Sequence, residues 1–500
     1  MKRFFNLATA LAAICAVVSC SYASIYPEGA YVNGKTEMYD GSEYPEEPSG
    51  DNFDEIREND FVKVADQPVS TFSIDADGAS YAYMRMCVNS GRRPSADAIR
   101  TEEFLNYFTF NYSEPTGSET VAINAEIADC PWADGHKLLR LGLKGKTLTE
   151  EETPVANFIL LIDTSGSMYG SDRIDLLKSG LCNMIDHMRP TDRVAVITYS
   201  GSVERVLEST LVKDAAKIKK AIRRLEASGS TAGGAAMKMA YEEAVEHYAE
   251  GGNNRIIMCT DGDFNVGVSS TEALVEMVES YLDKGIYLSI MGFGTGNYQD
   301  SRMESLSNHG NGTYTYIDCE DEMMKVFVTE RAHFTAVAND TKCQVSFTDA
   351  IDSYRLIGYE NRVMNNEDFE DDKKDAGEIG AGQTITALYE LIPAETYASG
   401  AAAAAFDVRY KLQLGGESRP LHLDVNVPDA GYKASGEFDF AAGLAAYSLV
   451  LRSSEYKGTA DFAMVKSLIK KGQDIPAGVD PMGLRKKLSA LVEKAEKLEN

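Results

Sequence analysis

Basic residues are scarce in this chain. Lysine and arginine number 49 against 77 aspartates and glutamates, a formal net charge of −28 over 500 residues. That balance argues against a nucleic-acid partner, because phosphates are held by Lys and Arg. It argues equally against plain electrostatic docking on anionic lipid. The acidity suits a protein that meets cations or basic partners, although much of it serves solubility. Long apolar runs are missing too. The stretch Phe4 to Val18 comes nearest, and it is too short to cross a bilayer. Cysteine is sparse and scattered: none of the eight stands in a C-x-x-C pair, which excludes the usual zinc and thioredoxin spacings. The six histidines share no ligand spacing either.

What is present begins with an address. Lys2 and Arg3 followed by Phe4 to Val18 form the charged and apolar parts of an export signal. The run ends in Val17-Val18-Ser19-Cys20, which resembles the bacterial lipobox. The resemblance implies a lipoprotein signal peptide over 1–20 and lipidation at Cys20. A competing cleavage site, after Ser21-Tyr22-Ala23, would release a soluble periplasmic protein. The expectation is an exported, membrane-anchored lipoprotein of the bacterial cell envelope, on the periplasmic face or the cell surface. The N-terminal lipid would be its one membrane attachment. Residues 38–60 hold nine acidic residues against Arg57 alone, so 21–69 is expected to be an acidic disordered tether. With Cys15 and Cys20 set aside, Cys182 and Cys259 read as small buried hydrophobes. The other four could oxidise in an exported protein.

The folded part divides by periodicity. Residues 70–150 mix a helical face (Ile99, Phe104, Leu105, Phe108) with strands of period two at "TVAINAEIADC" and "HKLLRLGLKGK". Over 155–335 continuous apolar runs ("NFILLID", "RVAVITYS", "RIIMCTD", "IYLSIMGFG") alternate with helical stretches. That pattern predicts an α/β fold with a doubly wound, mostly parallel sheet. "VERVLEST" reads as a short strand paired in a hairpin with the one before it. A β-rich pattern returns over 340–430, and 437–500 turns helical. Strands before and after the α/β unit are expected to form one flanking β-rich domain into which that unit is inserted. Leu484, Leu488, Leu491, Ala495 and Leu498 recur at helical spacing, read as a helix packed on its own domain.

Chemistry gathers at strand ends. In an open α/β sheet, ligands bind at the carboxyl edge. Asp163 ends one apolar strand in "LLIDTSGSM", and Asp261 ends another in "MCTDGD". A third loop, "ASGSTAGG", offers Thr231. Asp163, Ser165, Ser167, Thr231 and Asp261 make an all-oxygen set without His or Cys. Such a set selects a hard divalent cation, Mg²⁺ foremost with Mn²⁺ or Ca²⁺ possible, over zinc or copper. Two carboxylates and three neutral hydroxyls leave the ion short of negative charge. One more anionic ligand from outside would complete it. D-x-S-x-S after a strand, a Thr in the middle loop and T-D-G after a later strand resemble the metal-ion-dependent adhesion site (MIDAS) of von Willebrand factor type A (VWA) domains. "STFSIDADGASYAYMR", "TDGDFNVGVSS", "GFGTGNYQD" and "GNGTYTYID" are similar to a bacterial subgroup. In that subgroup the domain sits between an N-terminal von Willebrand-associated region and a C-terminal region of unknown function. The resemblance implies strand order 3-2-1-4-5-6 with one antiparallel edge strand, metal held partly through water, and ligand capture as the role. It also implies exchange of Thr231 and Asp261 between direct and water-mediated contact.

Rival chemistries fit less well. An aspartic protease needs Asp-Thr-Gly or Asp-Ser-Gly twice, and Gly166 is one place late. A dehalogenase-type phosphotransferase needs Asp where Ser165 stands. An α/β-hydrolase needs G-x-S-x-G with a His. The expectation is therefore a binding protein, not an enzyme: the metal bridges to an Asp or Glu carboxylate of a protein ligand. A metal-assisted hydrolase and an envelope scaffold with a purely structural metal are the alternatives. The first lacks a general base, since both Asp residues would be ligands. Asp263 reads as a loop cap or a supporting group. The acidic run Glu367 to Asp375 reads as a solvated loop without calcium-loop spacing. The aromatics of 106–112 read as core.

Overall fold

A computed structural model describes residues 53–229, 234–262, 271–294 and 300–499. The apolar runs become a six-stranded sheet. Its strands are β1 (Ala156–Asp163), β2 (Arg193–Tyr199), β3 (Val203–Leu211), β4 (Asn253–Thr260), β5 (Ile286–Phe293) and β6 (Tyr314–Ile317). They lie side by side as β3-β2-β1-β4-β5-β6, all parallel except the β2–β3 hairpin. Every residue of β1 and of β4 is buried, which is why neither alternates in polarity. Side chains still alternate between faces. Phe158, Leu160 and Ile162 pack under α1 (Ile174–His187) and α2 (Ala215–Arg223). Ile159 and Leu161 meet α3 (Gly234–Glu246) on the other face, with Leu274 of α4 (Thr271–Glu279) and Met303 of α5 (Asp300–His309) in the same core. The sheet is doubly wound, and its carboxyl edge collects the loops after β1 and β4.

Two antiparallel sheets flank this unit, each built from both sides of the insertion. One runs Val62–Lys63, Ile351–Ile357, Thr384–Pro393, Lys137–Gly145, Val121–Asp129. The other runs Val363–Met364, Val69–Ser73, Ala336–Phe347, Ala402–Lys411, Ser418–Asn426, with Gly377–Gly380 added against Ala336–Phe347. Leu141 lies opposite Ala387, and Phe72 opposite Cys343. Leu139, Leu141 and Leu143 face Val345, Phe406 and Val408 in the core between the sheets. Leu138, on the opposite face, joins a helical core with Phe104, Phe108, Phe110, Phe440, Leu444 and Leu488. The helices Gly436–Leu451, Phe462–Lys471 and Leu484–Glu499 close that side. Ser435 caps the first by accepting from the Phe438 amide.

The expected tether over 21–69 needs correction at its end, since residues 53–69 lie on the folded body. Val62–Lys63 pairs with Ile351–Ile357, and Asn59 donates to the carbonyls of Leu356 (3.2 Å) and Gly358 (2.9 Å). Phe53 packs edge-on against Tyr83, with ring centroids 4.9 Å apart. Acidic composition hid these few anchoring residues. Residues 1–52, including Cys20, lie outside the described residues. The cysteines Cys87, Cys130, Cys182, Cys259, Cys319 and Cys343 are all free thiols, five of them buried, so oxidation is not what holds them. No described helix is long and apolar enough to cross a membrane.

Candidate metal-binding site

Asp163 sits at the carboxyl end of β1 between β2 and β4, with 0% of its surface exposed. A carboxylate there must be satisfied locally. The Ser165 amide donates to its Oδ1 at 2.8 Å, and the Thr260 hydroxyl donates to Oδ2 at 3.2 Å. After β1 the chain makes a short 3₁₀ turn over Gly166–Met168, which brings the hydroxyls of Ser165 and Ser167 to 2.9 Å from each other. Met168 is fully buried beneath the turn and anchors it. The loop ahead of α3 docks onto the same turn. The Ser228 amide donates to the Thr164 carbonyl (2.7 Å), and the Gly166 amide to that of Gly229 (3.0 Å). Thr231, like Asp263, lies outside the described residues.

Asp261, just past the end of β4, is 5% exposed. Its Oδ1 is buried without a hydrogen-bond partner, and its Oδ2 stands 3.7 Å from a guanidinium nitrogen of Arg173. Burial pushes the Asp163 carboxyl up to about 6, and the nearby Asp261 charge adds to the rise. The Ser165 and Thr260 hydrogen bonds oppose it. Two buried carboxylates thus share one sheet edge, with paired hydroxyls beside them and one acceptor oxygen unused. This donor set fits a hard divalent cation, which prefers oxygen and would relieve the repulsion. Asp163, Ser165, Ser167 and Asp261 are brought to the one edge. Sequence reasoning missed Thr260 and Arg173. Thr260 was visible as the hydroxyl just before Asp261, and Arg173 as the lone cation of the "GSDRID" loop. Another group of potential ligands among the described residues, Glu243, Glu246 and His247, lies at the end of α3. There Glu243 is already held by Arg205 (3.1 Å) and the Ser209 amide (3.0 Å).

Three stretches of the chain match known families. Residues 47–140 match von Willebrand factor, 158–263 the von Willebrand factor type A domain, and 332–498 the C-terminal region of uncharacterized protein YfbK. Uncharacterized protein YfbK of Escherichia coli (strain K12) is 36% identical over 479 residues, covering 90% of this chain and 82% of that protein. The chain belongs to the YfbK family of VWA-domain proteins. Uncharacterized protein sll0103 of Synechocystis is 30% identical over 192 residues, 38% of this chain and 44% of that protein. A solved von Willebrand factor type A protein from Catenulispora acidiphila covers 76% of this chain and 91% of its own, at 15% identity and a TM-score of 0.42. The fold assignment rests instead on the strand order and the matched VWA segment. VWA domains are generally protein-interaction modules. The YfbK-family C-terminal match spans the three closing helices, two of the five strands of one flanking sheet and all but Val69–Ser73 of the other, so the three matched segments share cores.

Proposed function

We propose that this YfbK-family protein captures a protein ligand through a MIDAS-type divalent-metal site, and that it does so as an exported lipoprotein anchored at Cys20. The observation that carries the metal reading is the buried, unpartnered Oδ1 of Asp261, facing the same edge as Asp163, Ser165 and Ser167. Asp163, Ser165 and Ser167 would hold one side of the ion, Mg²⁺ foremost, and Thr231 and Asp261 the other. When bound, the ion supplies a Lewis-acidic bridge to an Asp or Glu of the ligand. The chain's own residues do the rest. Thr260 and the Ser165 amide fix the Asp163 carboxylate, and the 3₁₀ turn presents both hydroxyls on one side. Tyr169, 80% exposed immediately after the turn, offers an aromatic anchor to a docking surface. Among the described residues, no group beside the two aspartates is placed to act as a general base, which favours binding over catalysis.

The test is a pull-down from bacterial envelope extract with Mg²⁺ or EDTA, comparing the wild-type chain with Asp163→Ala. We expect partners retained with Mg²⁺ to be lost in EDTA and in the variant, together with the Mg²⁺-induced rise in melting temperature. Retention indifferent to both treatments would sink the proposal. Globomycin-sensitive palmitate labelling, abolished by Cys20→Ala, tests the anchor separately.

A further inference from the structure

One more residue of the site has a role to assign, and the assignment rests on the metal reading above. Arg173 lies just ahead of α1, in the loop that carries Ser165 and Ser167. Its side chain crosses the carboxyl edge of the sheet and is 21% exposed. Its Nη1 donates to the Ser167 carbonyl and stands 3.7 Å from Asp261 Oδ2. The path is kept open by Gly294, immediately after β5. There φ is +72°, and a Cβ would fall 2.0 Å from Arg173 Nε. The loops after β1, β4 and β5 therefore meet on one guanidinium.

A guanidinium is permanently charged and offers a planar fork of donors. Beside Asp261 it offsets part of the negative charge that two buried carboxylates concentrate at this edge. The same charge, fixed within about 4 Å of a ligand oxygen, opposes the arrival of a second cation. We infer that Arg173 is a tethered counter-ion of the site: it holds Asp261 in the metal-free protein and sets metal affinity by competing for that carboxylate. It is a positioning residue. The strand-end loops would then exchange one cation for another, with Arg173 released from Asp261 when the divalent ion enters.

The test uses the full mature chain and Mg²⁺ alone, followed by titration calorimetry and by melting temperature in EDTA. Arg173→Gln should melt lower than wild type in EDTA yet bind Mg²⁺ at least about fivefold more tightly, the lower end of ordinary coupling between sites. Gly294→Ala, which crowds the guanidinium out without removing it, should also tighten Mg²⁺ binding. Combining the two should add nothing further, because both act through one group. Unchanged or weaker Mg²⁺ binding by a folded Arg173→Gln chain overturns the inference, as does full additivity of the pair. Should Arg173→Gln not fold, Gly294→Ala decides alone: tighter binding supports the inference, and equal or weaker binding overturns it. If wild type binds Mg²⁺ and Asp163→Ala does not while both Arg173→Gln and Gly294→Ala match wild type, this inference fails and the metal reading stands. Absence of Mg²⁺ binding in every chain removes both.

Discussion

Buried carboxyl groups recur through this fold, and they are not all of one kind. Asp163 belongs to the candidate metal edge, whereas Glu102 lies far along the chain from it, in the helix Thr101–Asn106. Glu102 is 1% exposed, and its Oε2 has no hydrogen-bond partner. Burial first, and the neighbouring Glu360 second, push its carboxyl up to about 8 from an ordinary 4.5. The folded protein thus keeps a proton that the unfolded chain releases near 4.5. Stability contributed at this position is full below that pH and is lost as pH rises toward 8. Glu102→Gln removes the titration. In urea denaturation the variant should gain ~1 kcal/mol or more over wild type on going from pH 5 to pH 8. A difference independent of pH would show that Glu102 ionises normally. Arg100, which favours the charged form, tempers the rise without reversing it.

At the scale of elements, the last helix shows how packing decides what periodicity leaves open. Leu484–Glu499 has the apolar spacing of a short coiled-coil seam, but Leu488, Leu491, Val492 and Ala495 are buried in the helical core of their own chain. Lys466 and Glu496 pair beside it at 2.8 Å. Leu488→Ala should therefore destabilise the monomer by ~2–5 kcal/mol, as cavities in well-packed cores do. Glu493→Ala, on the exposed side, should stay within ~0.5 kcal/mol. Thermal melts of both variants at two protein concentrations make the check. A concentration-dependent loss confined to Leu488→Ala would instead mean that the helix packs between copies.

For the whole molecule, the insertion governs how the chain can be divided. Val69–Ser73 is paired on both sides by strands from beyond the VWA unit, and Lys137–Gly145 joins Thr384–Pro393 to Val121–Asp129. Residues 336–500 alone would keep Ile351–Ile357 and Thr384–Pro393 without their N-terminal partners. The apolar edge left behind is an aggregation hazard. Expressed alone, that fragment should be insoluble, and co-expression of residues 53–145 should recover a soluble complex on size exclusion. A folded, monomeric 336–500 fragment would contradict the interleaved reading. The three family matches along the chain are consequently not three independent folding units: the first and third complete each other's sheets, and the second is threaded between them.

Sequence alone determined what is written locally. Continuous apolar runs of strand length, separated by helices, fix a parallel sheet because each run must be covered on both faces. The position of Asp163, Ser165 and Asp261 at strand ends follows from the same pattern. Tertiary structure alone decided the rest. Phe53 and Asn59 anchor a segment whose composition reads as disordered, because a few specific contacts outweigh average polarity. Thr260 and Arg173 matter through atoms of the neighbouring strand-end loops, and Glu102 through burial beneath distant elements. The pairing of residue 72 with residue 343 spans the whole inserted domain. Such contacts join residues remote in the chain, and local periodicity carries no record of which remote surface a residue will meet.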